Sequence, residues 1–98
     1  MKESLRVVAR IVAKPARVEE LRSLLLDLIE PTRKEQGCRI YELLQNTADP
    51  TDFTFVEEWD TDASLDAHLT TDHIQKALAK LPDLTAAPPD IRRYRSIG

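Results

Sequence analysis

The chain contains little of what several classes of protein require. Its 98 residues include one cysteine, Cys38, so an internal disulfide is excluded and a reducing cytoplasm is the expected location. Only two glycines are present, which leaves no glycine-rich loop for phosphate. No apolar run approaches the roughly 20 residues of a membrane span, and Met1 to Ser4 lack the apolar core of a signal peptide. We therefore expect a cytoplasmic protein that does not contact a membrane.

Positive charge in excess is also missing. The chain has 14 basic and 17 acidic residues, a net charge of -3, and its basic residues are scattered among acidic ones. Nucleic-acid binding needs clustered Lys and Arg, so nucleic acid is not an expected partner. A composition of 42% apolar and 32% charged residues is that of an ordinary globular protein. The length predicts a single domain, residues 1–98, with one core.

The periodicity of apolar residues predicts the order strand, helix, strand, strand, helix, strand. Pro31 should kink the first helix, and Gly37 should follow its last turn as a cap. Asp60 or Thr61, and then Thr71 or Asp72, can cap the helical segments of the second half. The predicted strands are 5–13, 39–45, 53–59 and 91–97, and the predicted helices are 17–35, 62–69 and one beginning near 72. This order is that of an α+β, ferredoxin-like βαββαβ fold: a four-stranded antiparallel sheet with helices on one face.

The second face of this sheet is predicted to be covered. Val7, Ala9 and Ile11 alternate with Val8 and Val12, so both sides of the first strand carry apolar residues. An antiparallel sheet with one solvated face should show cleaner alternation. We therefore predict a homodimer in which two sheets pack face to face.

One stretch of the sequence favours a small-molecule pocket. Phe55 to Trp59 holds the only tryptophan, and His68 follows nine residues after it, next to Leu69. A strand that ends in tryptophan and leads into a helix with histidine would place an aromatic wall near a titratable base. The spacing alone only suggests this arrangement.

Several segments, in the same order, resemble the antibiotic biosynthesis monooxygenase domain family. The matching segments are Val7 to Ile11, Lys14-Pro15, Pro31 to Tyr41, Phe55 to Trp59, Ala67 to Leu69 and Pro88 to Tyr94. The resemblance implies a dimeric α+β barrel of ferredoxin-like subunits, each with a pocket between sheet and helices. It also implies members, such as quinol monooxygenases, that oxidise phenols or quinols with dioxygen and need no flavin, haem or metal. Other members isomerise or degrade signalling sugars or cleave haem, so the family fixes fold better than function.

The haem-cleaving branch of that family is not matched. Its members carry an asparagine in the first strand, a tryptophan on the second helix and a haem-ligating histidine about ten residues later. In this chain those positions correspond to Val8, His68 and Leu78. We therefore expect no haem and no other cofactor apart from dioxygen as co-substrate.

The leading hypothesis assigns the catalytic chemistry to His68, Tyr41 and Glu57. His68 would deprotonate a quinol near neutrality, where the unperturbed pKa of imidazole suits proton transfer; otherwise it is a packing residue or an exposed bystander. Tyr41 would hold a substrate oxygen or satisfy itself at the interface. Glu57 would orient His68 or bind a substrate hydroxyl, or it would form a salt bridge with Arg10 or Arg93.

The substrate wall is assigned to Trp59, Phe55, Leu69 and Val8, although Trp59 could instead pack in the core or brace the dimer. His73 is expected at the surface, and its spacing from His68 predicts no metal site. Cys38 is interpreted as an inert, buried thiol. Two further functions remain open: an isomerase or degradative enzyme for a phosphate-bearing signalling molecule, and a dimeric ligand-binding domain without turnover.

Overall fold

Four antiparallel strands form one sheet in the order β2-β3-β1-β4 in the computed structural model, which describes residues 4–98. Residues 1–3 lie outside the described residues. The prediction that Met1 to Ser4 are not part of a signal peptide falls mostly on them. The strands are β1 (Leu5–Val12), β2 (Cys38–Gln45), β3 (Asp52–Trp59) and β4 (Asp90–Tyr94). The helices are α1 (Val18–Leu26), α2 (Ile29–Arg33), α3 (Asp62–Leu69) and α4 (Asp72–Leu84), with a 3-10 turn at Pro15–Arg17. The ferredoxin-like prediction is confirmed.

The core lies between one face of the sheet and the helices. Val7, Ala9 and Ile11 of β1 are buried, and each pairs with a buried residue of β3. Phe53 and Phe55 are two of those partners. Side chains of a strand alternate between the two faces of a sheet. Every second residue of β1 and of β3 therefore points toward the helices.

The first helical segment breaks earlier than the sequence predicts. The kink was expected at Pro31, yet α1 ends at Leu26 and α2 begins at Ile29, so the break falls on Asp27 and Leu28. A proline inside a helix lacks an N–H, and its ring collides with the carbonyl four residues earlier. For Pro31 that carbonyl belongs to Asp27, which explains the position of the break.

Gly37 allows the loop after α2 to pack closely against α3. Its φ is +87°, and a Cβ at this position would lie 2.7 Å from the Cβ of Ser64, too close for any side chain. The Gly37 carbonyl also accepts a 2.8 Å hydrogen bond from the Asp60 N–H. This close approach holds Glu35, two residues earlier, beside the helix.

The last strand is shorter than predicted. The sequence predicts a strand over 91–97, but β4 spans Asp90–Tyr94 and Ile97 is 90% exposed. Tyr94 pairs with Arg6, near the start of β1, so the chain beyond Tyr94 runs past the end of its partner strand. A strand needs a neighbour for its hydrogen bonds, and apolar pattern alone does not supply one.

The face of the sheet away from the helices carries exposed apolar side chains. Val8, Ile40, Leu44 and Tyr94 are between 37% and 47% exposed. Salt bridges such as Arg10 to Asp52 lie among them. None of the helices in the described residues is long and apolar enough to cross a membrane.

Candidate functional site

A cavity lies between the sheet and helices α3 and α4, on the side of the core. Its enclosed volume is small, about 50 Å³, and the cavity opens to solvent on one side. Its wall is largely apolar, and no Lys or Arg among the described residues contributes to it. Three polar side chains reach this wall: Tyr41, Glu57 and His68.

His68 is held with one ring nitrogen toward a carboxylate and the other free. The residue is 3% exposed, and its Nδ1 lies 2.7 Å from Oε2 of Glu35. A carboxylate oxygen only accepts hydrogen bonds, so Nδ1 carries the hydrogen and Nε2 keeps its lone pair. Nε2 has no hydrogen-bond partner within residues 4–98, which leaves it available to the cavity that His68 lines. Burial lowers the pKa of His68 despite the opposing effect of Glu35, so the ring is a neutral acceptor near pH 7.

The same oxygen of Glu35 accepts from a second histidine. Nε2 of His73 lies 2.8 Å from Oε2, and the His73 side chain is 26% exposed. The sequence interpretation of His73 as a plain surface residue is therefore wrong, because its ring is partly buried and tied to the carboxylate. Glu35 was missed altogether: it lies 33 residues from His68 in sequence and reads as a charge at a helix end.

The break between α3 and α4 turns both histidines toward Glu35. Thr71 caps α4 by accepting a hydrogen bond from the N–H of Ile74, and its hydroxyl donates to the His68 carbonyl at 2.8 Å. One threonine therefore starts α4 and holds the end of α3. The second histidine follows the first by five positions in the sequence, and this turn brings both rings to one carboxylate.

Glu35, His68 and His73 are also the one group of three within residues 4–98 that could hold a metal ion. Their ligand atoms lie within 4.8 Å of one another, and two imidazoles with a carboxylate suit zinc or iron. The sequence spacing predicts no metal site, since it does not reveal this grouping. As arranged here, both nitrogens donate to Glu35, and an ion would have to displace both hydrogens.

Glu57 is buried and has no cationic partner among residues 4–98. It is 4% exposed, and its Oε1 accepts a 2.8 Å hydrogen bond from Nε1 of Trp59. Burial raises the pKa of Glu57 to about 7, against the lowering effect of the Trp59 bond. The carboxyl group is therefore largely protonated in mildly acidic solution.

The predicted partners of Glu57 are wrong. Arg10 points to the other face, where it pairs with Asp52, and Arg93 binds Asp62 and Asp66 of α3. His68 is oriented by Glu35 rather than by Glu57. A strand phase tells which face a side chain occupies, but it does not tell which neighbour it meets there.

Trp59 and Val8 do not line the cavity, so their assignment to the substrate wall is wrong. Trp59 is completely buried, and its ring packs behind His68 with centroids 4.7 Å apart. It is core packing within one chain, not a dimer brace. Val8 lies on the opposite face of the sheet because it is out of phase with Val7 and Ala9.

Tyr41, Phe55 and Leu69 do border the cavity, as predicted. The rings of Tyr41 and Phe55 stack with centroids 4.6 Å apart, and Tyr41 meets the edge of His68 at 5.6 Å. Burial raises the pKa of Tyr41, which keeps its hydroxyl protonated and able to donate. Burial likewise raises the pKa of Cys38 to about 11, so its thiol is protonated and unreactive near neutrality.

The raised pKa of Glu57 makes folding stability depend on pH. Between pH 4.5 and about 7 the folded state binds the proton more tightly than the unfolded state, so stability falls as pH rises through this window. We expect Glu57→Gln, which cannot ionise, to gain roughly 2–3 kcal/mol relative to the wild type between pH 5 and pH 8. Urea unfolding at both pH values measures this gain, with the exposed Glu30→Gln as control. Parallel pH dependence of Glu57→Gln and the wild type would contradict the assignment.

The fold and the cavity define a ferredoxin-like α+β domain with an apolar pocket that holds an oriented imidazole and a buried carboxyl. Residues 4–80 match the family model described as antibiotic biosynthesis monooxygenase. That match covers most of the chain. The protein belongs to the antibiotic biosynthesis monooxygenase family.

Individual relatives agree with this assignment. The chain is 36% identical over 89 residues to the Synechocystis protein sll1783, covering 91% of this chain and 60% of that protein. It is 33% identical over 85 residues to the Bacillus subtilis protein named "Putative monooxygenase YcnE", covering 87% and 90% of the two chains. The crystal structure of PA3566 from Pseudomonas aeruginosa superposes with a TM-score of 0.94 at 31% identity, covering 100% and 98%. All three similarities cover most of this chain and agree with the family assignment.

Proposed function

We propose that this protein is a cofactor-independent monooxygenase that oxidises a quinol or a hydroxylated polycyclic aromatic with dioxygen. The observation that carries the proposal is the orientation of His68, with Nδ1 bound to Glu35 and Nε2 free in an apolar cavity. Membership of a monooxygenase family supports the reaction class. The stacked rings of Tyr41 and Phe55 provide a flat wall that suits an aromatic substrate.

The reaction begins with a proton transfer. Nε2 of His68 removes a hydroxyl proton from the bound substrate, and Glu35 stabilises the imidazolium that forms. The resulting anion is electron-rich enough to pass an electron directly to dioxygen. One oxygen atom then enters the product and the other leaves as water, with the substrate supplying all the electrons. Tyr41 donates a hydrogen bond to a substrate oxygen during these steps.

Oxygen uptake tests the proposal. The purified protein is screened in an oxygen electrode against reduced naphthoquinones and anthrones, with chelator and with added metal salts in parallel. We expect uptake that is insensitive to the chelator, together with a product one oxygen atom heavier by mass spectrometry. Absence of enzyme-dependent uptake with every substrate would refute the oxygenase, and dependence on a metal would refute cofactor independence.

The cavity does not favour the alternative function, an isomerase that acts on phosphate-bearing substrates. Recognition of a phosphate in a pocket requires Lys or Arg side chains or a helix N-terminus aimed at it. Within the described residues the cavity wall offers no such cation. A neutral, mostly apolar substrate fits the wall better.

We also propose that the protein is a homodimer that pairs through the helix-free face of the sheet. Val8 and Val56 lie opposite each other at the centre of this face, and Ile40 and Leu44 lie beside them on β2. Exposed apolar side chains at this density on one sheet face indicate an interaction surface. A second copy would cover them sheet against sheet, as two faces of aligned strands do in other folds.

Val8→Asp is expected to separate the dimer. The substitution would bury an unpaired carboxylate in the centre of the interface, which costs more than the contacts of one valine contribute. Sedimentation equilibrium at micromolar concentration should show the wild type at twice the 11.2 kDa chain mass and the variant at one. Leu26→Asp, a matched change at an exposed residue of α1, should remain dimeric. A wild type that is monomeric at that concentration would contradict the proposal.

A further inference from the structure

Two polar side chains of the cavity wall each have one atom without a hydrogen-bond partner among the described residues. One is Nε2 of His68, and the other is the carboxyl oxygen of Glu57 that Trp59 does not reach. Both side chains are more than nine-tenths buried, and neither atom has a hydrogen-bond partner among residues 4–98. Neither atom is sealed inside the protein, since the fully buried side-chain atoms without a partner in the described part of the chain are Arg6 Nε and Thr32 Oγ1. Both atoms are therefore open to a ligand that enters the cavity, and a ligand that bonds to both would be favoured.

The two atoms differ in hydrogen-bond character. Nε2 of His68 is an acceptor, since Nδ1 donates to Glu35. In Glu57 the indole N–H of Trp59 already occupies Oε1, so the hydrogen of the protonated carboxyl lies on Oε2 and can be donated. The rest of the wall is apolar and uncharged apart from Tyr41. The complementary ligand is neutral and mostly apolar, with an acidic hydrogen and a carbonyl oxygen close together.

We propose that this pocket catalyses the keto–enol interconversion of apolar ketones, with His68 as the base and Glu57 as the acid. Nε2 removes a proton from the carbon next to the carbonyl, and that C–H electron pair becomes a carbon–carbon double bond. Oε2 of Glu57 gives its proton to the carbonyl oxygen as the C=O double bond becomes single. The imidazolium then returns its proton to carbon, and the Glu57 carboxylate takes back the hydroxyl proton, so no oxidant or cofactor is consumed. The inference shares its base with the proposed oxygenase but requires no oxygen.

The reaction should have an upper pH limit. It needs a protonated Glu57, and burial favours this form of the carboxyl group. The rate should therefore fall above a pKa of about 7, when Glu57 ionises. Four groups lie near His68: Glu35, His73, Tyr41 and Trp59. Trp59, Tyr41 and Cys38 lie near Glu57, and Glu35 acts on it from a greater distance.

Deuterium exchange without oxygen tests the inference. The purified protein is incubated anaerobically in D₂O with α-tetralone, 2-indanone or acetophenone, and loss of the hydrogens next to the carbonyl is followed by proton NMR. We expect at least one ketone to exchange about 10²–10⁴-fold faster than in buffer. His68→Gln and Glu57→Gln should each lose most of that enhancement, whereas the exposed Glu30→Gln should keep it.

Exchange at the buffer rate for all three ketones would overturn the inference, whatever the oxygen electrode shows. Exchange without oxygen uptake from any quinol would support it and refute the oxygenase, so the two proposals fail separately. If Glu57→Gln does not fold, Trp59→Phe serves instead. It removes the bond that lowers the pKa of Glu57, so the upper limb of the pH profile should move to higher pH. An unmoved limb would overturn the role of Glu57.

Discussion

His68→Gln is expected to lower the turnover of a quinol substrate by about 10²–10⁴-fold, the range contributed by a positioned general base. Glutamine can still donate a hydrogen bond to Glu35, so the local packing survives. It has no atom that can accept a proton near neutrality. The loss should therefore appear in kcat, with a small change in KM, and it should be measured by oxygen uptake at saturating substrate.

His73→Gln is the matched comparison for this result. His73 shares the carboxylate of Glu35 but does not border the cavity, so its replacement should reduce kcat far less than His68→Gln does. Equal losses of kcat in the two variants would show that Glu35, His68 and His73 affect turnover only by stabilising the fold. Wild-type kcat in His68→Gln would place the base elsewhere.

Trp59→Ala is expected to lower the free energy of unfolding by about 3–5 kcal/mol, the usual cost of removing a fully buried aromatic side chain. The indole is completely buried and packs against the ring of His68. Its removal also takes away the N–H that satisfies Glu57, and leaving that acceptor without a partner adds to the cost of the cavity.

Urea unfolding followed by circular dichroism measures this effect. Trp59→Phe, which keeps most of the volume but loses the N–H, should be destabilised less than Trp59→Ala. Ile97→Ala, at a residue that is 90% exposed, should change stability by no more than about 0.5 kcal/mol. A loss below about 1 kcal/mol in Trp59→Ala would mean that the core repacks around the gap.

Local sequence signals predicted most of the fold because they act over a few residues. The alternation of Val7, Ala9 and Ile11 with Val8 and Val12 predicted that β1 is a strand, and Thr61 and Thr71 cap helices as expected. The positions of two element boundaries depend on residues outside the local pattern. The helix break depends on the carbonyl four residues before Pro31, and the end of β4 depends on where β1 begins.

The candidate site was predicted only in part. His68, Tyr41, Phe55, Glu57 and Leu69 were correctly placed around one cavity. Their hydrogen-bond partners were not, because such partners are chosen by tertiary packing and carry no local pattern.

Two errors have a different origin. Both sides of β1 carry apolar residues, so the sequence did not show that Val8 lies on the face away from the helices; the pairing of β1 with β3 shows this. Trp59 shares the phase of Phe55 and was expected to share its environment, but α3 covers the end of the strand, so Trp59 lies in the solid core. The alternation along a strand determines on which face of the sheet a side chain lies. Its position along the strand determines whether it meets a cavity or packed side chains there.

The single oxygen of Glu35 that receives both imidazoles has a consequence for how this family can diverge. Loss of Glu35 leaves the N–H of His68 without an acceptor and leaves His73 only its longer 3.3 Å contact with the Thr71 hydroxyl, whereas loss of one histidine leaves the other bond to Glu35 intact. Substitution at Glu35 is therefore the costlier first step. Among related chains, the two histidines should vary one at a time while the carboxylate persists, and chains without the carboxylate should lack both histidines.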